Sequence, residues 1–203
     1  MAPTTTKNQH IEPDGANSCF TSMSFITLLF IMAMSPFGPL LEFNFQSKGN
    51  ATNTWTIQND DVMGGVSEGT VQWKEEGFLW YGHTRLENNG GFSSIRSPWK
   101  SFDLSKFETV RIRCKGKGGP FRIVFDTQRA WYLPNAQTNF DVSEEWSDVV
   151  IPLKKFVWEE PRRGVIGKVN PAKELNAVIR IGLMKYDGTA QPFELEVASI
   201  SFE

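Results

Sequence analysis

The side chains best suited to recognition or catalysis lie in two segments, residues 59–69 and 86–96. Each segment combines carboxylates or carboxamides with a Gly-Gly step. Glycine lets the backbone adopt positive φ angles, and short polar side chains hydrogen-bond to the amides of the turns that result. We therefore expect two shaped loops. Their candidate binding residues are Asn59, Asp60, Asp61, Gly64, Gly65, Asn88, Asn89 and Arg96.

The first segment also contains a pattern known from catalysis. Residues 65–69 match G-x-S-x-G, the nucleophile elbow of serine hydrolases. That motif requires a strand-turn-helix corner with an acid and then a histidine later in the chain, whereas here a β-hairpin is predicted to follow and His83 is the only downstream histidine. A glycosidase would need two carboxylates across a sugar. Asp60, Asp61 and Glu87 are the nearest candidates, but we interpret them first as loop and strand-edge residues.

We therefore predict no catalytic residues and no enzymatic activity. An enzyme acting through Asp60 or Glu87 remains the alternative. Ca²⁺ could use the oxygens of Asn59, Asp60 and Asp61, although they lack the alternating spacing of an EF-hand. Capping of the turn by these side chains is the favoured interpretation. With two histidines and two distant cysteines in the sequence, a zinc site is less favoured still, and we predict no metal site and no cofactor.

The two segments also resemble motifs of a known family. Residues 59–67 read Asn-Asp-x-Val-Met-Gly-Gly-x-Ser, and residues 87–96 read Glu-Asn-Asn-Gly-Gly-Phe-x-Ser-x-Arg. This pair resembles the NADH:ubiquinone oxidoreductase (complex I) intermediate-associated protein 30 family, from about Leu40 to the C-terminus. The resemblance implies a galactose-binding-like β-sandwich that binds or assembles other proteins, including respiratory-complex subunits as partners. It carries no established catalytic residues.

Short stretches of alternating apolar and polar residues predict about ten strands between turn signals, and hence an all-β antiparallel sandwich or jelly roll. A hairpin over residues 70–84 would bring the two Gly-Gly loops together at one end of a sheet, where Arg96 could anchor the Asp60-Asp61 loop by a charge-assisted hydrogen bond. A second hairpin, over 110–126, is predicted to have one apolar and one basic face. Residues 127–139 are predicted to be a long loop, and residues 159–173 a connection.

The long loop carries further candidate binding residues. Trp131 and Tyr132, beside Arg129, could stack on a sugar ring or clamp a partner protein, or they could seal the end of the sandwich. Trp80 and Tyr81 are adjacent in a predicted strand, so they face opposite ways and one of them is expected in the core. A carbohydrate-binding module of an exported protein is therefore the alternative function.

The charge pattern limits the partners. A net charge of −2 argues against nucleic acid, which usually binds a strongly basic domain. Positive side chains nevertheless concentrate on the 110–126 hairpin, either as a solvated sheet face or as a surface for an acidic partner or an anionic membrane. These side chains are Arg111, Arg113, Lys115, Lys117 and Arg122. Cys114, on the apolar face, is predicted to be buried.

The sequence divides into residues 1–39 and a β-sandwich domain, residues 40–203. Residues 1–39 are predicted to be a disordered N-terminus with an apolar segment at 23–34. As a helix this segment would rise about 18 Å, short of a hydrocarbon core of about 30 Å, so a secretory signal or membrane anchor is favoured over a full span. A buried element of the domain is the alternative. We predict an exported or membrane-associated protein, with a mitochondrial or cytoplasmic location as the alternative.

Overall fold

The computed structural model describes residues 40–46 and 54–203. Within these ranges the chain forms thirteen strands, which pair antiparallel in two sheets. The strands are β1 (Leu41–Asn44), β2 (Thr56–Asn59), β3 (Glu68–Lys74), β4 (Gly77–His83), β5 (Ser93–Arg96), β6 (Thr109–Lys117), β7 (Phe121–Asp126), β8 (Asn135–Phe140), β9 (Ser147–Pro152), β10 (Val157–Glu160), β11 (Gly164–Lys168), β12 (Arg180–Lys185) and β13 (Pro192–Phe202). The remaining elements are 3-10 turns at Asp60–Met63, Glu87–Asn89 and Leu153–Lys155 and a one-turn helix, α1 (Pro171–Glu174).

The described helices are all too short to cross a lipid bilayer. The predictions for residues 1–39, including the apolar segment 23–34, lie outside the described residues. The predicted fold class is confirmed, because the described chain is an antiparallel sandwich of two sheets.

The six-stranded sheet is built around the last strand. Its order is β3-β4-β13-β6-β9, and β1 pairs with the second half of β13 on the edge where β4 pairs with the first half. The seven-stranded sheet has the order β11-β10-β8-β7-β12-β5-β2. In this second sheet the side chains alternate, so that Ile123, Phe125, Ile181 and Leu183 enter the core while their neighbours in β7 and β12 face outward.

Aromatic rings fill the space between the sheets. The Trp80 ring packs edge-on against Phe193, with 4.9 Å between centroids, and its Nε1 donates a hydrogen bond to Ser93 Oγ in the other sheet at 3.2 Å. Trp80 is fully buried whereas Tyr81 is exposed, as the alternation predicted. Burying each large apolar side chain contributes about 2–3 kcal/mol. The buried position of Cys114 is also confirmed.

Two predictions about connections were wrong. Part of the 127–139 loop is strand β8, and part of the 159–173 connection is the hairpin of β10 and β11. The sequence of β8, Asn-Ala-Gln-Thr-Asn-Phe, has little intrinsic preference for a strand. It is extended because β7 and β10 pair with it on both sides, and such pairing overrides a weak local propensity.

The predicted basic hairpin over 110–126 was also wrong. β6 belongs to the six-stranded sheet and β7 to the seven-stranded sheet, so the two strands do not pair with each other. The positive side chains on β6 are matched by carboxylates: Arg111 Nε lies 2.9 Å from Glu203 Oε1, and Lys117 Nζ lies 3.1 Å from Glu194 Oε1. β6 therefore presents paired charges, and Arg122 on β7 belongs to a different surface.

Candidate functional site

The two Gly-Gly loops lie against each other, as predicted, and the Asp60 carboxylate joins them. Its Oδ2 accepts hydrogen bonds from the backbone N–H of Gly91 at 2.6 Å and of Phe92 at 3.2 Å. Its Oδ1 accepts one from the N–H of Ser67 at 2.9 Å. Asp60 is fully buried, so these amides replace the water that its charge has lost. We call this arrangement the Asp60 brace.

Hydrogen bonding governs the pKa of Asp60. Burial acts to raise this pKa, but hydrogen bonds from Ser67, Gly91 and Phe92 favour the carboxylate and together hold the pKa below its usual value. A further bond closes the brace from outside, where Asn88 Nδ2 donates to the Gly64 carbonyl at 2.9 Å. The first loop is therefore tied to the second by both its buried and its exposed sides.

Ser67, the serine of the G-x-S-x-G pattern, is part of the same packing. It is buried, and its Oγ both accepts from the Arg85 N–H at 2.9 Å and donates to the Arg85 carbonyl at 3.2 Å. Strand β3 follows it, where a nucleophile elbow requires a helix. The hydroxyl thus holds backbone in place and is not presented as a nucleophile.

Arg96 does not anchor the Asp60-Asp61 loop, and that prediction was wrong. Its Nη1 donates to Asp126 Oδ2 at 2.8 Å, while the Asp60 carboxylate is held by backbone amides. Strand β12 lies between the strands that carry the two partners, and Gly182 is the β12 residue in register with Arg96. A Cβ atom at Gly182 would lie 3.0 Å from Arg96 Cγ. The missing side chain is therefore what lets Arg96 cross the intervening strand.

This ion pair lies in a groove of about 580 Å³ on the outer face of the seven-stranded sheet. The groove floor is formed by the outward side chains of six strands. They are Gln58, Arg96, Arg122, Asp126, Asn135, Gln137, Glu159, Arg180 and Met184. Loop residues form the walls. They are Asn89, Phe92, Trp99, Gln128, Arg129, Ala130, Trp131, Leu133, Pro134, Pro161 and Tyr186.

The floor carries charged pairs. Besides Arg96 and Asp126, Arg122 Nη1 lies 3.1 Å from Glu159 Oε1. Arg122 Nε and Asn135 Oδ1, both at the groove, are buried without a hydrogen-bond partner among the described residues. Burial lowers the pKa of Arg180, the neighbouring Arg96 charge lowers it further, and Asp126 opposes the change.

Aromatic side chains stand at the groove walls. The guanidinium carbons of Arg129 and Arg180 lie 5.0 and 4.5 Å from the centroid of the Trp99 ring. Trp131 is the most open of the wall aromatics, at 58% exposure. These rings offer flat apolar surface beside fixed hydrogen-bonding groups.

Tyr186 completes the aromatic wall from the turn after β12. Its ring lies 5.0 Å from the Arg122 guanidinium carbon. The flanking residues Lys185 and Asp187 form an ion pair, and Lys185 is fully buried. Burial acts to raise the pKa of Asp187, but hydrogen bonds from Lys185 and Thr189 outweigh it and lower the pKa.

The predicted binding residues divide between the groove and the brace. Four line the groove: Asn89, Arg96, Arg129 and Trp131. Tyr132 is exposed and packs edge-on against Trp131, with 5.9 Å between centroids, but does not line the groove. The other predicted residues lie in the two loops that the brace joins or, for Asn59, at the end of strand β2, and they also do not line the groove. They are Asn59, Asp60, Asp61, Gly64, Gly65 and Asn88.

Several groove residues were not predicted from the sequence. They are Trp99, Asp126, Glu159, Arg180 and Tyr186, whereas Arg122 was predicted only as part of the basic hairpin face. The available signal was partial: the positions of β7 and β12 that alternate with core residues include Arg122, Asp126 and Arg180, but also the apolar Val124 and Met184. No group of three or more His, Cys, Asp or Glu side chains suited to a metal ion occurs within residues 40–46 and 54–203.

The model of the family described as complex I intermediate-associated protein 30 matches residues 43–197, which is more than half of the chain. The chain belongs to this family. Membership confirms the resemblance inferred from the two Gly-Gly segments.

Solved structures of other proteins share the β-sandwich fold of this chain. A family 11 carbohydrate-binding module from Clostridium thermocellum, in complex with a beta-1,3-1,4-mixed-linked tetrasaccharide, matches with a TM-score of 0.54 and 12% identity, over 80% of this chain and 94% of that one. The family 11 module of the C. thermocellum cellulosomal cellulase Lic26A-Cel5E matches with a TM-score of 0.55 and 12% identity, over 81% and 95%.

An agarase matches at 12% identity with a TM-score of 0.51, over 80% of this chain and 24% of the agarase. At these identities the likeness shows a shared fold. The predicted sandwich of the galactose-binding-like type is therefore confirmed.

Proposed function

We propose that this chain is a non-catalytic binding protein that takes part in the assembly of respiratory complex I. In this proposal it recognises a protein partner, such as a respiratory-complex subunit, through the groove of the seven-stranded sheet. Membership of the complex I intermediate-associated family supports the class of partner. The Asp60 brace shapes one end of the groove by fixing the loop that carries Asn89 and Phe92.

The observation that carries the proposal is the combination of open aromatic rings with pre-formed ion pairs in one groove. Trp99, Trp131 and Tyr186 are exposed around a floor on which Arg96 and Arg122 are already oriented by carboxylates. Aromatic and arginine side chains contribute most to protein interfaces because they bury large areas and donate hydrogen bonds with little loss of conformational freedom. A rigid floor reduces the ordering cost of binding.

The composition of the groove also supports a non-catalytic role. Its described lining contains no Ser, Cys or His, so it offers no candidate for a nucleophile with an imidazole base. Its two carboxylates, Asp126 and Glu159, each accept a hydrogen bond from an arginine. Such pairs orient side chains for recognition.

Capture of partners from an extract of the native organism tests this proposal. The full chain serves as bait, and Trp131→Ala and Tyr186→Ala are compared with Tyr81→Ala, which changes an exposed aromatic on the six-stranded sheet. We expect the two groove variants to lose captured respiratory-complex subunits and the control to retain them. Identical capture by the wild type and Trp131→Ala would refute the groove as the recognition site.

Carbohydrate binding is a second candidate function. It is favoured by the exposed Trp99, Trp131 and Tyr186 rings, because sugar rings stack on such surfaces beside charged hydrogen-bonding groups. Screening the full chain on a glycan array separates the two candidates. Saturable sugar binding that Trp131→Ala abolishes would support the carbohydrate-binding module. No sugar binding on the array, together with captured proteins, would support the assembly role.

The assembly role also leads to an expectation about the subcellular location of the protein. A complex I role requires access to the membrane that holds the complex, and residues 1–39 would serve to address or anchor the domain at residues 40–203. Fractionation of cells that express the full chain tests this step. Recovery with respiratory membranes is expected, and secretion into the medium would support the exported alternative.

A further inference from the structure

The groove carries an excess of positive charge. Four arginines and two carboxylates are found among its described lining residues. Arg96 is in contact with Asp126, and Arg122 with Glu159, which leaves Arg129 and Arg180 without an ion-pair partner in the part of the chain that the structure describes. This excess is local, because the chain as a whole has a net charge of −2.

The two unpaired arginines converge on one ring. Both guanidinium carbons lie within 5.0 Å of the Trp99 centroid, and Arg180 Nε is fixed by a hydrogen bond to the Ser97 carbonyl at 3.2 Å. Stacking on an aromatic ring limits the orientations of a guanidinium while leaving N–H donors at its edges. Arg129 is exposed, so its donors face solvent at the groove wall.

We propose that Arg129 and Arg180, stacked on Trp99, form a carboxylate-binding subsite for an acidic segment of the protein partner. This inference rests on the proposed function, because it specifies what the groove recognises in that partner. Carboxylates match the guanidinium fork better than other protein groups do, and charge-assisted bonds of this kind are about twice as strong as neutral ones. The segment carries glutamate or aspartate side chains, and its apolar parts contact Trp131.

The neighbouring ion pairs set the register of the acidic segment. Arg96 and Arg122 are already paired with Asp126 and Glu159, so an incoming carboxylate is directed toward the arginines that have no such partner, Arg129 on the wall and Arg180 on the floor. A groove of about 580 Å³ holds a short stretch of chain, so selectivity for acidic residues is expected at this subsite and tolerance elsewhere.

Direct binding of model ligands tests the subsite. Fluorescence anisotropy of the full chain is measured with a labelled hexaglutamate peptide, a hexaglutamine peptide of equal length and a uronic-acid oligosaccharide. The variants are Arg129→Gln and Arg129→Gln with Arg180→Gln. The matched control is Arg113→Gln, an arginine on the six-stranded sheet that pairs with Asp148. Thermal unfolding of each variant shows that it is folded.

We expect saturable binding of hexaglutamate and little binding of hexaglutamine. The dissociation constant should rise about tenfold for each groove arginine removed, and should be unchanged by Arg113→Gln. Added salt should weaken binding of the wild type more than that of the double variant. If the double variant unfolds, the dissociation constant of Arg129→Gln still tests the subsite. That single variant is expected to fold, because Arg129 lies on an exposed loop.

Three results would overturn the subsite: equal affinity for both peptides, no binding of either, or an unchanged dissociation constant for Arg129→Gln. In each case capture of partners by the wild type and its loss in Trp131→Ala would leave the proposed function intact. Binding of the uronic-acid oligosaccharide alone would overturn the peptide assignment in favour of an acidic glycan. Capture that Trp131→Ala does not change would instead refute the proposed function itself.

Discussion

Replacement of Asp60 by Asn tests how the two Gly-Gly loops are held together. The side chain keeps its size but exchanges one carboxylate oxygen for an NH₂ group. That group must then face either the Ser67 N–H or the N–H groups of Gly91 and Phe92, which are donors like itself. The brace therefore loses at least one hydrogen bond and the charge that strengthens the others.

The size of the effect follows from burial. A hydrogen bond to a charged group contributes about 1.5–3 kcal/mol, and a buried amide left unpaired adds a penalty of about 1–3 kcal/mol. We expect Asp60→Asn to lower the free energy of unfolding by about 3 kcal/mol. For a domain of this size, that loss corresponds to a fall of about 6–12 °C in Tm.

The stabilising contribution of Asp60 depends on pH, because only its charged form accepts all of the hydrogen bonds of the brace. The pKa of Asp60 is lower in the folded chain than its usual value of 3.8, so its stabilising contribution is present above pH 3.8 and is lost as the pH falls through the lower, folded-state pKa. The stability difference between the wild type and Asp60→Asn should therefore be largest near neutral pH. It should shrink as the pH falls below about 4.

Thermal unfolding followed by circular dichroism at pH 7 and pH 3.5 measures the fall in Tm and its dependence on pH. Asp141→Asn is the matched control, because Asp141 is exposed in a loop. We expect the control to unfold within about 2 °C of the wild type. A normal Tm for Asp60→Asn at pH 7, or an equal deficit at both pH values, would refute the brace as described.

Gly65→Val places a side chain against the Asp60 carboxyl group, so it should lower Tm. A double-mutant cycle should show a smaller fall in Tm when the same change is made in Asp60→Ala, where that carboxyl group is absent. Gly182→Val should displace the Arg96 side chain and break its bond to Asp126. We expect Tm to fall by several degrees and partner capture to weaken. Unchanged capture would argue against a role for the Arg96–Asp126 pair in recognition. Burial raises the pKa of the Cys114 thiol to about 12, so almost none of it is thiolate at pH 8. In a chain without Cys19, a thiol reagent at pH 8 should therefore react only after the protein unfolds. Rapid reaction of the native protein would contradict this.

The sequence was informative where local chemistry decides structure. Paired glycines with polar neighbours predicted two shaped loops, and the hairpin between them predicted that the loops meet. The family resemblance rested on the same loop residues, and their role in the brace gives a physical reason for the motif.

The groove could not be predicted because it depends on strand order. Arg96 and Asp126 meet only because β5 and β7 flank β12, and because β12 has a glycine at the crossing point. No local pattern encodes such an arrangement. The charge on Arg122 suggested a basic hairpin face, but that residue is separated from the β6 cations because the chain changes sheets between the two strands.

Solvent protection of aromatic side chains in the complex with the captured partner tests most directly whether the groove is the recognition surface. Hydroxyl-radical footprinting of the full chain, free and bound, compares Trp99, Trp131 and Tyr186 with Tyr81 on the six-stranded sheet. We expect oxidation of the three groove residues to fall on binding and oxidation of Tyr81 to stay the same. Protection of Tyr81 with undiminished oxidation of the groove residues would contradict it.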